Sequence, residues 1–297
     1  MMHAMTRRAL IAALLAVYVI WGSTYFVMRI ALEGFPPFLM GGIRFVLAGL
    51  ALFVWLRARG APSPTWPEWR ASAPIGFLLL TVGNGGVALA EHRTVSSSLA
   101  ALVVATMPVW AVLFASVVGE RPSRSEAAGL LLGLFGVALL QAGGDLRGHG
   151  FGALFLLVAP VSWALGSVWS RRLSLPAGAM STAVQMILGG VFMLVLSVVV
   201  GEHPNAAAST RSIVALLYLM IFGSIVAFTA YGFLLRHASP GVATSYAYVN
   251  PVVALGIGVV FGGEHIAWLT VVGAGVVLLG VAAMSLGKAR IARVAKT

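Results

Sequence analysis

Long apolar runs follow one another along this chain, with only short polar breaks between them. Of its 297 residues, 60% are hydrophobic and 9% are charged, whereas a soluble domain carries about 25% charged residues. So few charged groups cannot cover a water-exposed surface, and this excludes a soluble enzyme. A helix of about 20 apolar residues crosses the roughly 30 Å of hydrocarbon in a bilayer. The sequence therefore predicts an all-α membrane protein.

Ten of these stretches are candidate membrane spans, and together they leave no room for a second, soluble domain. Their apolar runs are continuous, which favours helices over the alternating pattern of a β-barrel. We predict transmembrane helices over residues 9–30, 35–56, 72–92, 96–118, 126–142, 151–170, 180–200, 212–235, 241–261 and 267–287.

The basic residues predict the orientation of the spans, because cytoplasmic loops are enriched in lysine and arginine. Of 19 basic residues, 14 lie on the side that carries both termini, four lie on the other side, and Arg44 lies inside a span. We therefore expect both termini in the cytoplasm. The net charge of +11 then reflects orientation and the lipid surface, and we expect no nucleic-acid partner.

The chain repeats its own pattern. Trp21 and Arg29 recur 142 residues later as Trp163 and Arg171. Further pairs follow at separations of 143 or 144 residues: Arg93 and Arg236, Ser96 and Ser239, Pro108 and Pro251, Glu120 and Glu264, Gly129 and Gly273, Gly136 and Gly280. We predict two five-helix repeats, over residues 1–142 and 143–297.

Five is an odd number of spans, so the second repeat enters the membrane from the opposite side. The two halves are then related by a two-fold axis in the membrane plane. Inverted repeats of this kind recur in transporters, whose substrate site lies near mid-membrane between the repeats.

Polar and aromatic side chains deep inside spans mark the candidate site, because an unpaired polar group in lipid costs several kcal/mol. Asn84 lies on one face of the third span, and Asn250 follows Tyr246 by one turn in the ninth. Trp21 and Trp163 lie too deep for interfacial anchors. Helix packing is the alternative role for each of them. The predicted substrate-binding residues are Trp21, Asn84, Trp163, Tyr231, Tyr246 and Asn250.

Proline and glycine predict where the helices could bend. Pro108 and Pro251 each remove a backbone donor in equivalent spans, the fourth and the ninth, while Gly83 and Gly85 thin the third span. We predict these four residues as gates or hinges, although they could also simply shape the bundle. Glycines at 129, 133, 136, 273 and 280 predict close helix contact.

Ionisable groups are scarce within the spans. Glu91 and His92, at the outer end of the third span, are a possible pair for proton coupling. We expect Arg44 to snorkel to the surface or to pair with Glu91 or Glu33, as a structural anchor rather than a substrate ligand. No carboxylate lies at the centre of a predicted span, which favours a net-neutral amphipathic substrate, such as a zwitterionic amino acid, over an organic cation.

Catalytic and metal-binding patterns are missing from the sequence. The chain has no cysteine, which excludes disulfides, thiolate metal sites and cysteine nucleophiles. Neither HExxH nor GxSxG occurs, and the six histidines are scattered singly. We expect no enzyme, no cofactor and no metal.

Several stretches resemble the drug/metabolite transporter superfamily, and within it the EamA-type exporters with ten helices. The resemblance is carried by WGSTYFVMRIAL (21–32), IRFVLAGL (43–50), MPVWAVLFASVVGE (107–120), GLLLGLFGVALL (129–140), NPVVALGIGVVFGGE (250–264) and GAGVVLLGVAAM (273–284). It implies an exporter in a bacterial inner membrane that moves amino acids and other small metabolites outward, and we expect this exporter to be a monomer. The resemblance implies aromatic amino acids among the substrates. Amino-acid exporters of this type often have an aromatic residue where this chain has Met107, and this departure speaks against a narrowly aromatic preference.

The sequence thus predicts export by alternating access. A multidrug or other-metabolite exporter of the same superfamily is one alternative, and a passive pore or a scaffold is another. Saturable exchange separates a carrier from a pore, which leaks without saturation.

Overall fold

A computed structural model describes residues 2–92, 100, 103–140, 150–203, 208–262 and 268–294, and these residues form helices and turns only. The α-helices and two π-helices are α1 (Met2–Leu32), α2 (Pro37–Ala58), α3 (Trp66–Gly76), π1 (Phe77–Asn84), α4 (Gly85–His92), α5 (Met107–Val117), α6 (Arg124–Leu140), α7 (Gly150–Ser170), α8 (Ala179–Val199), α9 (Thr210–Tyr218), π2 (Leu219–Val226), α10 (Ala227–His237), α11 (Pro240–Thr244), α12 (Tyr246–Gly262) and α13 (Trp268–Val294). The all-helical prediction is confirmed for this part of the chain.

Five helical stretches are long and apolar enough to cross a membrane. They are Arg7–Leu32, Pro37–Ala58, Trp66–His92, Ala179–Val199 and Thr210–His237, and they coincide with the first, second, third, seventh and eighth predicted spans. Shorter apolar helices lie inside the fourth, sixth and tenth predicted spans, at Met107–Val117, Phe155–Ser170 and Val271–Met284. The total of ten spans and the cytoplasmic termini stay predictions. Residues 93–99, 141–149 and 263–267 lie outside the described residues.

Two of the long stretches contain a π-helical segment. Each segment has eight residues, Phe77–Asn84 and Leu219–Val226, and the second begins 142 residues after the first. The separation equals that of Trp21 and Trp163. A π-helix widens the backbone hydrogen-bond ring and is frequent at functional sites.

Helices that are equivalent in the two predicted repeats pack against each other. α2 packs along α8, and α6 packs along α13. A Cβ added at Gly280 of α13 would lie 2.6 Å from the backbone nitrogen of Gly133, and one added at Gly190 of α8 would lie 2.7 Å from that of Val46. The backbones therefore touch where small residues permit it, as the glycine pattern predicts.

α1 and α7 each pack against helices of the other half of the chain. α1 packs against α9, π2, α10 and α12, whereas α7 packs against α3, π1, α4 and α5. Because α1 carries Trp21 and α7 carries Trp163, the predicted site residues are directed into the middle of the molecule.

The first turn of α2 is capped from a distant connection. Pro36 precedes the helix and provides no side-chain cap, but the carboxylate of Glu202 accepts hydrogen bonds from the backbone N–H groups of Phe38, at 3.2 Å, and Leu39, at 2.8 Å. A negative charge at a helix N-terminus satisfies orphan donors and complements the helix dipole. This contact ties α2 to the end of α8.

Candidate functional site

Five buried aromatic side chains meet at the centre of the bundle. The Trp21 ring centroid lies 4.6 Å from that of Tyr246, 5.1 Å from Tyr231, 5.3 Å from Phe228 and 5.6 Å from Trp163. We refer to these five residues as the aromatic cluster. Trp21 and Trp163, which are repeat counterparts, meet edge to face at 88°, a favourable geometry for aromatic rings.

Hydrogen bonds fix the two tryptophan rings. Trp21 Nε1 donates to the carbonyl of Gly223 in π2 at 2.9 Å. Trp163 Nε1 donates to the hydroxyl of Tyr231 at 3.2 Å, and the same hydroxyl lies 2.6 Å from Ser167 Oγ. A buried indole N–H needs a hydrogen-bond acceptor, and both tryptophans thus find one within the protein.

Tyr246 joins the cluster to the fourth predicted span. Its hydroxyl donates to the sulfur of Met107 at 3.3 Å. Met107 thereby places a flexible thioether side chain beside the cluster.

A cavity of about 60 Å³ lies next to the aromatic cluster. By this measure it holds roughly four to six waters. Its walls include the predicted residues Trp21, Gly83, Asn84, Trp163, Tyr246 and Asn250. Tyr231 supports the cluster without lining the cavity. None of the described residues that line it is acidic.

Two amide oxygens of the cavity wall lack hydrogen-bond partners. They are Oδ1 of Asn84 and Oδ1 of Asn250, both buried and without a partner among the described residues. Asn250 is only 2% exposed. The Tyr25 side chain lies within hydrogen-bonding reach of the Asn250 amide, but Oδ1 of that amide accepts no hydrogen bond among the described residues. An unsatisfied buried polar atom costs about 1–3 kcal/mol, so such atoms mark a place where a ligand or water supplies a donor.

Arg44 contributes a positive charge to the same cavity. Its side chain is 2% exposed, and Nε donates to Ser224 Oγ in π2 at 2.7 Å. Nη2 lies 2.9 Å from where a Cβ of Gly223 would be, so glycine at this position gives the guanidinium room. The expected pairing with a carboxylate is wrong within the described residues: Glu33 instead lies 4.0 Å from Arg211, and Arg44 lines the cavity.

The predicted hinge glycines make close contacts. A Cβ at Gly83 would lie 2.7 Å from Cε3 of Trp163, and one at Gly85 would lie 3.1 Å from the ring of Phe38. Gly83 therefore lets the Trp163 ring lie against the backbone of π1, while Gly85 lets α4 approach α2. A gating role for either residue stays a prediction.

The two predicted hinge prolines differ in their placement. Pro251 lies inside α12, directly after Asn250, as the sequence predicts. Pro108 lies in the first turn of α5, which begins at Met107 after a turn at Ala105 and Thr106. The predicted fourth span is thus interrupted before Pro108. In the first turn of a helix the missing N–H of a proline costs little, because N–H groups there have no acceptor within the helix. Hinge motion at these positions stays a prediction.

The possible coupling pair does not line the cavity. Glu91 and His92 end α4. Both carboxylate oxygens of Glu91 are buried without a hydrogen-bond partner among the described residues, whereas His92 is exposed. Coupling stays a prediction. In the part of the chain that the structure describes, no three His, Cys, Asp or Glu side chains form a group that could hold a metal ion.

Some cavity residues were not among the predicted ligands. Thr24 and Met28 line the cavity and follow Trp21 by three and seven residues, which places them on one face of α1. That spacing could have identified them. Phe228 of the aromatic cluster carries no comparable signal, because it is one of 15 phenylalanines in this apolar chain.

Comparison with known proteins agrees with this architecture. The model of the EamA-like transporter family matches residues 8–141 and again residues 150–286. The chain is 44% identical over 279 residues to the "uncharacterized inner membrane transporter YedA" of Escherichia coli strain K12, covering 94% of this chain and 91% of the relative.

More distant relatives extend the comparison. A "probable amino-acid metabolite efflux pump" of Salmonella typhimurium is 27% identical over 295 residues, with 93% of this chain and 94% of that protein covered. One solved crystal structure matches with a TM-score of 0.75 at 22% identity, over 95% of this chain and 97% of its own. At that identity it supports the fold alone.

Proposed function

Because the chain belongs to the EamA-like transporter family, we propose that it exports small zwitterionic metabolites, chiefly amino acids including aromatic ones. Members of this family are transporters. The inner-membrane description of YedA and the five membrane-length helices support a bacterial inner membrane as its location. The name of the Salmonella relative supports amino acids as the substrate class and export as the direction.

The cavity beside the aromatic cluster is the observation that carries this proposal. It combines two unpartnered amide oxygens, a buried arginine and aromatic walls, and none of its described residues is acidic. An organic cation would find no counter-charge there and would be repelled by Arg44. A molecule with both a cationic and an anionic group, and an apolar side chain, complements every part of the wall.

Alternating access between two inverted repeats is the mechanism we propose. Trp21 touches its own repeat counterpart, Trp163, and a residue that contacts its counterpart lies near the axis relating the two copies. The equivalent π-helices and the paired packing of α2 with α8 and α6 with α13 support the same symmetry. Two halves of nearly equal energy can exchange conformations around one central site.

The aromatic cluster would form the closed gate in this conformation. With cytoplasmic termini, Phe228 and Tyr231 lie in the cytoplasmic half of the eighth predicted span, and Tyr246 lies at the cytoplasmic start of α12. Asn84 and Asn250 lie further outward. Entry from the cytoplasm then requires the cluster to part, with Pro251 and Pro108 as the proposed hinges.

Counterflow in proteoliposomes tests the proposal. Protein reconstituted with a saturating internal amino acid should accumulate radiolabelled L-alanine or L-phenylalanine, and the rate should saturate. Asn84→Ala and Asn250→Ala should abolish exchange while the protein still purifies as a single species, whereas Asn205→Ala, between predicted spans, is the matched control. Preference for an organic dication would refute the substrate class, and a non-saturating leak would indicate a pore.

A further inference from the structure

We infer that Arg44 is the group that binds the substrate's carboxylate, while the amide oxygens of Asn84 and Asn250 accept hydrogen bonds from its ammonium group. This inference rests on the proposed function and adds to it the recognition of charge within the cavity. It makes Arg44 a specificity-determining residue rather than the structural anchor that its sequence position suggests.

The first argument is the incomplete pairing of Arg44. A guanidinium has five N–H donors, and within the described residues only Nε has a hydrogen-bond acceptor, the hydroxyl of Ser224. The groups around it are uncharged: the backbone at Gly223, that hydroxyl, and the ring of Phe45, whose centroid lies 4.6 Å from the guanidinium carbon. Buried charges are ordinarily paired, so the cavity beside Arg44 attracts an anion.

The second argument is the opposite chemistry of the two asparagines. Their free atoms are amide oxygens, which accept hydrogen bonds and therefore attract a donor. An ammonium group provides three N–H donors. A single small cavity thus presents one cationic donor and two neutral acceptors. The α-carbon of an amino acid carries the complementary pair, a carboxylate and an ammonium.

The third argument concerns the fork shape of the guanidinium. Arginine binds carboxylates through two parallel N–H groups, which a lysine cannot reproduce. The bond from Nε to Ser224 uses one edge of the group and leaves the two terminal nitrogens for the substrate. Gly223 keeps space open at Nη2, since a Cβ there would lie 2.9 Å from it. π2 therefore orients the guanidinium without occupying its other edge.

Ligand pairs that differ only in the carboxylate test this inference on the purified full-length protein. We would measure binding of L-phenylalanine against L-phenylalaninamide, and of L-alanine against L-alaninamide, by isothermal titration calorimetry. The wild type should bind each acid about 10- to 100-fold more tightly than its amide, the range for a hydrogen bond to a charged group. Arg44→Gln should remove that preference, and Arg44→Lys should restore only part of it.

Matched variants separate recognition from structure. Arg211→Gln removes an exposed arginine and should keep the full preference, whereas Ser224→Ala retains the charge but removes the bond that orients it and should lower the preference only in part. Gly223→Ala should weaken binding of the acids more than of the amides, because the added methyl displaces Nη2. Thermal melts establish whether each variant is folded. If Arg44→Gln does not fold, the wild-type ligand pairs and Gly223→Ala decide the matter.

Two failures are distinguishable. If the wild type binds and exchanges acids and amides equally, or if Arg44→Gln keeps the preference, Arg44 does not bind the carboxylate, although amino-acid export stands. If neither amino acids nor their amides bind, the proposed function itself fails, and the role of Arg44 fails with it.

Discussion

Gly280 of α13 offers a sharp test of the packing between α6 and α13. A Cβ at this position would lie 2.6 Å from the backbone nitrogen of Gly133 and 2.8 Å from the carbonyl oxygen of Gly129. Ordinary contact begins at 3.4 Å, so the shortfall against the nearer atom is 3.4 − 2.6 = 0.8 Å. Because both neighbours are backbone atoms, Gly280→Ala must push α6 away from α13.

Gly275 of the same helix provides the matched control. A Cβ there would meet nothing within 4 Å, so Gly275→Ala adds the same methyl group without a clash. Both variants gain up to about 1 kcal/mol of helix propensity over glycine, and this gain cancels between them. The difference in unfolding free energy should therefore equal the cost of overpacking, about 1–3 kcal/mol, with Gly280→Ala the less stable.

Unfolding in mixed detergent micelles, followed by the fluorescence of the eight tryptophans, measures this difference. The two variants should also differ in melting temperature, with the Gly280→Ala protein melting earlier. If the two free energies agreed within about 0.5 kcal/mol, the backbones of α6 and α13 could not be in contact at Gly280.

Three further predictions follow from the fold and the site. Glu202→Gln should lower the unfolding free energy by about 0.3–1 kcal/mol, because the charge at the first turn of α2 is lost; an unchanged value would contradict the capping role. Trp21→Phe keeps an aromatic ring but loses the indole hydrogen bond to the carbonyl of Gly223, so stability should fall by about 0.5–1.5 kcal/mol, and an unchanged value in the same unfolding assay would show that this bond does not stabilise the fold. Single cysteines at Ser63 and His203, in equivalent connections of a chain without cysteine, should react with an impermeant maleimide from opposite faces of the membrane; labelling from a common face would rule out inverted repeats.

The sequence predicts a large part of this architecture because hydrophobicity acts locally. A run of apolar residues must become a helix in lipid whatever its neighbours are, and five of the predicted spans agree with helices of membrane length. The separation of 142 residues between Trp21 and Trp163 also contained tertiary information, since the two rings meet in the structure. Asn84 and Asn250 were predicted for the same reason: polar groups are costly in lipid.

Other features depend on contacts that no local pattern encodes. The π-helices arise within segments whose composition matches ordinary helices, so the sequence predicts a helix there but not its widened turn. Pro108 suggests a kink in a continuous span, yet the chain turns before it, at Ala105 and Thr106.

Arg44 shows most clearly where prediction from sequence ends. Its burial cost was evident from its position inside a span, and the sequence suggested a carboxylate partner. The partner is instead the hydroxyl of Ser224, 180 residues away in the chain, and the remaining edge of the guanidinium belongs to a cavity wall. The sequence by itself determined which groups must be satisfied inside the membrane, because that cost depends on each residue alone. Only the tertiary structure decided which partners satisfy them, because partnership depends on distances between segments that are remote in sequence.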